Sequence, residues 1–451
     1  MTKTDIIIIG SGPGGYQAAL HAAKHGKSIV IAEAKDAGGT CLNCGCIPTK
    51  TLCKNAEVID TLRKASSFGL ENLSYDIDYS AITERKDNVV STLRSGVEQL
   101  MKSPGITFVR GFARFKAPKT VEISGEEYTA DNVIIATGSR PKTPPIEGIQ
   151  LPGVLDSTGL LAAKTIPQRL CIIGAGVIGM EFASIFSSFG SEVTVIEYLK
   201  EALPSLDSDI AKRLRQTISK RGVEFFMQSC VKSITSSDHE GEQSLTVSFE
   251  RKGKQQCVEA DTVMIATGRA AATEGLGLDE AGIATDNKGI VVDDNFMTNV
   301  DGVYAIGDVN GRCLLAHAAT FQGLHVVNRI LGKTDNIRFD VMPSAIFTHP
   351  EAASVGLSED SCKELALGYE CRKGFYRSNG KALAMDETDG TVKLLTGTDG
   401  RILGCHAFGA HASDMIQEVA VLMNKDATAT NLADIIHTHP TLAEILHDLT
   451  V

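Results

Sequence analysis

Three things are missing from this chain, and each absence closes a class of function. No apolar run approaches the 18 or so residues a membrane span needs. There is no long cluster of lysine and arginine, and 55 acidic against 44 basic residues leave a net charge of -11, which argues against nucleic acid or an anionic membrane as partner. A regular cysteine framework is also absent. The 11 cysteines are odd in number and unevenly spaced, as expected of thiols in a reducing compartment rather than of a disulfide scaffold. The opening "MTKTDIIIIGSG" runs from a four-isoleucine strand straight into a glycine turn, which is no signal peptide, so the expected location is cytoplasmic.

What is present begins with size. A chain of 451 residues is too long for one hydrophobic core and suggests about three domains, and 43% hydrophobic with 22% charged residues is ordinary for a globular protein. Glycine is abundant, 43 residues, and falls beside aliphatic runs such as "IIIIG" and "CIIGAG", where a backbone approaches a ligand closely.

Two such runs are copies of one another. "IIIIGSGPGGYQAALHAAKHGKSIVIAEA" (6–34) and "CIIGAGVIGMEFASIFSSFGSEVTVIEY" (171–198) align at a constant offset of 164, carrying Gly10, Gly12, Gly15, Gly26 and Glu33 onto Gly174, Gly176, Gly179, Gly190 and Glu197. Each reads as strand, G-x-G-x-x-G turn, helix, and a second strand ending in an acid 23 residues after the first glycine. The glycines allow a tight turn against a pyrophosphate held at the positive helix end, and the carboxylate can accept from a ribose. Two dinucleotide sites are expected. Glu197 is followed by Tyr198, Leu199 and Lys200 without an arginine cluster for a 2′-phosphate, which favours NAD over NADP there. A second repeated pair, "NVIIATGSRP" (132–141) and "TVMIATGRAA" (262–271), ends in Ala-Thr-Gly where a chain would pass between domains, implying a discontinuous first domain. "VYAIGDV" (303–309) reads as a buried strand and "LLAHAATFQGLHVVNRIL" after it as a helix.

The stretch "GGTCLNCGCIPTK" (38–50) places Cys41, Cys44 and Cys46 within six positions. With Cys53 they offer enough ligands for zinc or an iron-sulfur cluster, but not the usual spacing, and Cys53 is expected two turns into a helix starting at Pro48. No metal is expected. A redox pair fits better: Cys41 and Cys46 are near enough to bridge, and a helix N-terminus with Lys50 one turn on favours a thiolate, moving a thiol from about 8.5 to between roughly 3.5 and 7.5.

These residues resemble the redox motif of the pyridine nucleotide-disulfide oxidoreductases. The likeness continues through both fingerprints, both "ATG" strands, "YAIGDV", "LAHAA", "SAIFTHPEAASVG" (344–356) and "HTHPTLAE" (437–444), and is strongest to the branch that reoxidises protein-bound dihydrolipoamide with NAD+. The resemblance implies an α/β fold with two Rossmann-like dinucleotide domains and a C-terminal α+β interface domain: FAD on 1–144 and 271–336, NAD on 145–270, dimerisation on 337–451. It implies non-covalent FAD on Gly10, Gly12, Gly15, Glu33, Gly39, Thr40, Lys50, Ala113, Thr137, Gly138, Ser139, Asp308, Leu315, Ala316 and His317. NAD would lie on Gly174, Gly176, Gly179, Glu181, Glu197, Val231 and Gly268, with Lys50 and Glu181 as an ion pair beside the flavin.

A thiol substrate must lose a proton before attacking a disulfide, and histidine is suited to take it. Among 11 histidines, His439 is singled out because Pro440 stiffens the backbone after it and Glu444 can return to the ring. In the family the matching pair reaches the disulfide from the neighbouring subunit, so a homodimer is implied, serving lipoyl domains of a 2-oxoacid dehydrogenase complex or the glycine cleavage H protein. His437 is the nearest rival. Three departures from the family pattern stand out: Cys44, expected as a small filler, with a Cys41–Cys44 bridge as the alternative; Ala270, Ala271 and Ala272 in an expected loop near the nicotinamide channel; and Thr49 in place of serine. A glutathione-type disulfide reductase, or a flavin-bearing redox or metal sensor, are the alternative functions. The C-terminal "EILHDLTV" has no cysteine tail of the mercuric or thioredoxin reductase kind.

Overall fold

A computed structural model describes residues 2–239 and 242–450. The chain divides into two compact units, 1–51 with 80–142 and 268–337, and 52–79 with 143–267 and 338–451.

In the first unit, strand Thr2–Ile9 lies between Ile29–Glu33 and Glu126–Ile135 in a parallel sheet that Ile106–Arg110 and Val303–Ala305 extend on its two sides. Ile6, Ile7 and Ile8 are wholly buried, which is why this strand reads as a continuous apolar run rather than an alternating one. An antiparallel pair, Ala113–Ala117 and Thr120–Ile123, joins the edge of Glu126–Ile135. Helices Pro13–Lys24 and Ala316–Ile330 pack on one another through small residues, where a Cβ on Gly323 would come within 2.8 Å of the Gly14 carbonyl.

The second unit repeats the arrangement. Five parallel strands run in the order Glu224–Phe226, Glu192–Ile196, Arg169–Ile173, Thr262–Ile265, Val154–Asp156, with helix Val177–Phe189 after the central one. A three-stranded antiparallel sheet begins at Ser229–His239. Residues beyond 338 form a five-stranded antiparallel sheet, with Ile402–Phe408 and Thr391–Gly397 inside it, backed by helix Ala412–Asn424 around Val392, Leu394, Ala407 and Val419. The fold is therefore two Rossmann-like α/β layers with a C-terminal α+β part.

Two local expectations need correction. The helix after the cysteines starts at Cys46, not at Pro48. The first four N–H groups of a helix have no internal partner, so a proline at its third position removes no bond. Ala270 and Ala271 are not in a loop but in strand Arg269–Ala271, paired antiparallel with Ser139–Pro141, and the Ala272 N–H donates to the Gly138 carbonyl at 3.0 Å.

Candidate active site

The two glycine turns are built alike. Gly10 and Gly174 follow their strands at φ of +101° and +109°, and a side chain there would strike the carbonyls of Ala136 and Ala266, at 2.4 and 2.5 Å. The third glycines, Gly15 and Gly179, let each helix close on its strand, since a Cβ would lie 2.0 Å from the Gly10 or Gly174 oxygen. The middle glycines differ: a Cβ on Gly12 would have only Gly39 Cα at 4.0 Å, and one on Gly176 would meet nothing within 4 Å. That room, at the uncapped N-termini of Pro13–Lys24 and Val177–Phe189, is a cradle for an anion held by backbone N–H groups. The residues present fit a dinucleotide pyrophosphate at both turns.

Each terminal acid reaches its own turn. Glu33 accepts from the Ser11 N–H at 2.9 Å and hydroxyl at 2.8 Å, and Glu197 from the Ala175 N–H at 2.6 Å. The carboxylate at the end of the second strand thus braces the residue after the first glycine while keeping lone pairs for a ribose. Val231 lies on strand Ser229–His239, whose first N–H donates to the Glu197 carbonyl at 2.8 Å. Glu181, 3% exposed, accepts from the Phe347 N–H at 2.9 Å.

In the first unit, Thr137, Gly138, Ser139 and Asp308 come together. The Ser139 hydroxyl donates to Asp308 at 2.5 Å while Arg269 donates to the same hydroxyl at 2.7 Å and to the Ser139 carbonyl at 2.6 Å, and Thr137 donates to the Ala272 carbonyl at 2.8 Å. Arg269 was not legible as part of this group, because only the antiparallel strand pair carries it to Ser139. Gly268, expected with NAD, falls in this unit at φ +105°. Ala113 is buried at the start of its strand, and Leu315 is the N-cap of helix Ala316–Ile330, with Ala316 and His317 in the first turn and no side chain capping it.

The cysteine-bearing loop folds as two successive helices, Gly39–Cys44 and Cys46–Arg63, so Gly39 and Thr40 open the first and Lys50 lies one turn into the second. A Cβ on Gly39 would meet Gly12 Cα at 2.7 Å, which seats the loop directly on the first cradle. Asn43, missed in the sequence, pins the short helix: its amide donates to the carbonyls of Ala37 and Gly39 at 3.0 and 2.9 Å and its oxygen accepts from Arg94 at 2.7 Å. Thr49 donates to the Gly45 carbonyl at 2.6 Å, so the hydroxyl expected to stand in for serine is used.

Cys41 and Cys46 are in side-chain hydrogen-bond contact. That bond, then burial, then the neighbouring Cys46 charge push the Cys41 thiol well up, against a smaller pull from Lys50. The expected lowering therefore does not apply to Cys41. Among the described residues no group of three or more His, Cys, Asp or Glu is arranged to hold a metal ion.

The two candidate histidines separate cleanly. The His437 side chain is 7% exposed, with Nε2 at 2.9 Å from Glu418 and Nδ1 at 2.9 Å from the Ile435 carbonyl, so both ring nitrogens face acceptors. His439 is 81% exposed, and only its Nδ1 is held, at 2.9 Å from Glu444 Oε1. The Thr441 N–H at 2.7 Å fixes the other carboxylate oxygen and, with His439, draws the Glu444 carboxyl below its ordinary range. A carboxylate on Nδ1 puts the proton there and leaves Nε2 as a base.

Comparison with known proteins follows the same lines. Residues 4–323 match the pyridine nucleotide-disulphide oxidoreductase model and residues 342–450 its dimerisation domain. Dihydrolipoyl dehydrogenase of Chlamydia muridarum is 40% identical over 98% of this chain and 95% of its own, and the mitochondrial dihydrolipoyl dehydrogenase of Pisum sativum 38% over 99% and 90%. Leghemoglobin reductase of Glycine max is 37% identical over 99% and 87%. A solved structure, the Cu(II) complex of the HOCl-induced flavoprotein disulfide reductase RclA from Escherichia coli, superposes with a TM-score of 0.88 at 31% identity, over 100% of this chain and 99% of that one. With the doubled cradle, the thiol pair and the matched length together, this chain belongs to the pyridine nucleotide-disulphide oxidoreductase family.

Proposed function

We propose that the protein is an NAD-dependent dihydrolipoyl dehydrogenase acting as a homodimer on lipoyl groups carried by a 2-oxoacid dehydrogenase complex or a glycine cleavage H protein, in the cytoplasm. Full-length identity of 40% to a protein of that name carries the reading. The domain assignment belongs to the same proposal: FAD on 1–144 and 271–336, NAD on 145–270, and dimerisation through 337–451.

In this reading His439 Nε2 takes the proton of one substrate thiol, with Glu444 steadying the imidazolium. The substrate thiolate attacks Cys41 Sγ, the Cys41–Cys46 bond breaks, and Cys46 leaves as a thiolate. The second substrate thiol, deprotonated in turn, displaces Cys41, closing the lipoyl disulfide and leaving the enzyme pair reduced by two electrons. Lys50, one turn after Cys46, favours the negative charge, as does its proposed ion-pair partner Glu181 by fixing the ammonium. A bound flavin supplies the link between two-electron thiol chemistry and hydride transfer to a pyridine nucleotide, and Gly12, Glu33 and Asp308 would hold it.

The decisive measurement is NADH formation driven by dihydrolipoamide, set against glutathione disulfide with NADPH. Faster turnover of the second pair would replace the assignment with a glutathione-type reductase. Cys46→Ser should abolish turnover and the long-wavelength absorbance of a thiolate lying on oxidised flavin, and persistence of that band in the variant would sink the role given to Cys46.

A further inference from the structure

Cys44 has no part in the steps above, and its surroundings differ from those of a packing residue. The helix Gly39–Cys44 sets Cys41 and Cys44 three residues apart on one face, with Leu42 buried on another and both cysteines only half-buried. At helical geometry their Cα atoms are about 5 Å apart, inside the range of about 4.4–6.8 Å for a disulfide. Their Cβ atoms, about 5–6 Å apart at that spacing, have to close by about 1–2 Å. Cys44 is the last residue of its helix, and Gly45 after it leaves helical angles at φ -141° and ψ -108°, so the closure falls at a helix end, in the break before the helix that starts at Cys46. The same turn folds Gly45 back on Cys41: a Cβ at Gly45 would lie 3.4 Å from Cys41 Cα. Cys41 is thereby flanked by two thiols, Cys46 in hydrogen-bond contact and Cys44 one helical turn away.

We infer that Cys44 is a third redox residue of the loop, exchanging with the Cys41–Cys46 disulfide to form a minor Cys41–Cys44 bridge. This rests on the proposed redox role of Cys41 and Cys46. Cys44 loses its proton to water and its sulfur attacks Cys41 Sγ; the Cys41–Cys46 bond breaks, the Cys41–Cys44 bond forms, and Cys46 departs as a thiolate. One disulfide replaces another, so no oxidant or reductant is consumed. The product presents a Cys46 thiolate without any substrate having reacted, and it withdraws Cys41 from attack by a substrate thiol. The loop thus holds a resting register set aside from turnover, entered and left by exchange alone.

The test uses the full-length oxidised protein, labelled with N-ethylmaleimide, acid-quenched and digested, with the single label on the 39–50 segment located by fragmentation. The expected result is a label on Cys44 in most molecules and on Cys46 in about 0.1–10%, the usual range for a minor state. A label on Cys44 in every molecule overturns the inference while leaving the redox pair intact, whereas labels on all three thiols overturn the redox pair as well. As an independent arm, Cys46→Ser treated with diamide should lose both remaining loop thiols and about 2 mass units, and the Cys44→Ser, Cys46→Ser double variant should keep its Cys41 thiol. Equal labelling of Cys41 in the two variants also overturns it.

Discussion

At the scale of single residues, hydrogen-bond direction separates roles that residue type leaves equal. His437 and His439 lie two apart in one motif, yet the first has both ring nitrogens engaged and the second keeps one outward. His439→Gln is expected to lower kcat by about 10²–10⁴-fold, the usual worth of a positioned general base. Glu444→Gln should give a smaller loss and a displaced pH–rate profile, because it alters the base without removing it. His437→Gln should alter stability more than kcat. Steady-state rates of the three variants across pH check the order, and a kcat loss for His437→Gln matching that of His439→Gln would transfer the base role to His437. The thiols show the same principle: contact with Cys46, more than burial, raises the Cys41 thiol above its ordinary range, which its residue type alone does not indicate.

At the scale of elements, the two strand–turn–helix units make separable predictions for their glycines. Gly179→Ala would force a Cβ into the Gly174 carbonyl and should destabilise the second unit, whereas Gly176→Ala has open space and should fold normally. The added methyl fills the anion cradle, so the KM for NAD should rise at least tenfold, about 1.4 kcal/mol, with little change in thermal midpoint. An unchanged KM would place the nucleotide elsewhere. A second element-scale feature is the clamp where strands Thr391–Gly397 and Ile402–Phe408 meet the start of helix Ser208–Lys220. Lys393, opposite His406 in the sheet, donates to both Asp207 oxygens at 2.8 and 2.9 Å and to Glu359 at 2.6 Å, and Asp207 also caps the helix. Burial works against the Lys393 charge, but these two carboxylates outweigh it and its pKa is raised. Lys393→Met should cost about 3–5 kcal/mol in denaturant unfolding by leaving a buried Asp207 uncompensated.

The same clamp sets an acid limit. Burial lowers His406 from 6.5 to about 4, against the pull of Asp207, so the folded state keeps it neutral. Between pH 6.5 and 4 the unfolded chain binds this proton first, and stability falls on acidification by up to about 3 kcal/mol. Glu359, held at about 2 by hydrogen bonds from Lys393 and Lys363, gives a second loss below its ordinary 4.5, complete only near pH 2. Denaturant midpoints for His406→Gln should therefore drop less than wild type between pH 7 and 4.5, and parallel curves would show that His406 titrates normally.

At the scale of the whole molecule, the chain carries a dimerisation domain over 342–450, and the exposed His439 belongs to it. If the base serves a partner's disulfide, specific activity should fall on dilution in step with dimer dissociation followed by sedimentation. Activity that persists in the monomer would put His439 and its own Cys41 in one site. Glu197, on a strand end with Tyr198 and Leu199 rather than arginines beside it, should give at least tenfold preference for NAD over NADP in kcat/KM. No helix among the described residues is long and apolar enough to cross a membrane.

The sequence by itself determined what is local and periodic: both glycine turns with their acids, the apolar strands feeding them, helix Ala316–Ile330, and the thiols of the loop, because these depend on spacings within about 30 residues. Tertiary structure decided whatever needs distant chain brought together. It carried Arg269 to Ser139 and Arg94 to Asn43, buried Lys393 on Asp207, closed His437 while leaving His439 open, and set Cys41 against Cys46 so that its thiol is raised. Hydrogen-bond partners and burial fix the protonation and reach of a side chain, and both are properties of the folded surroundings rather than of the residue's neighbours along the chain.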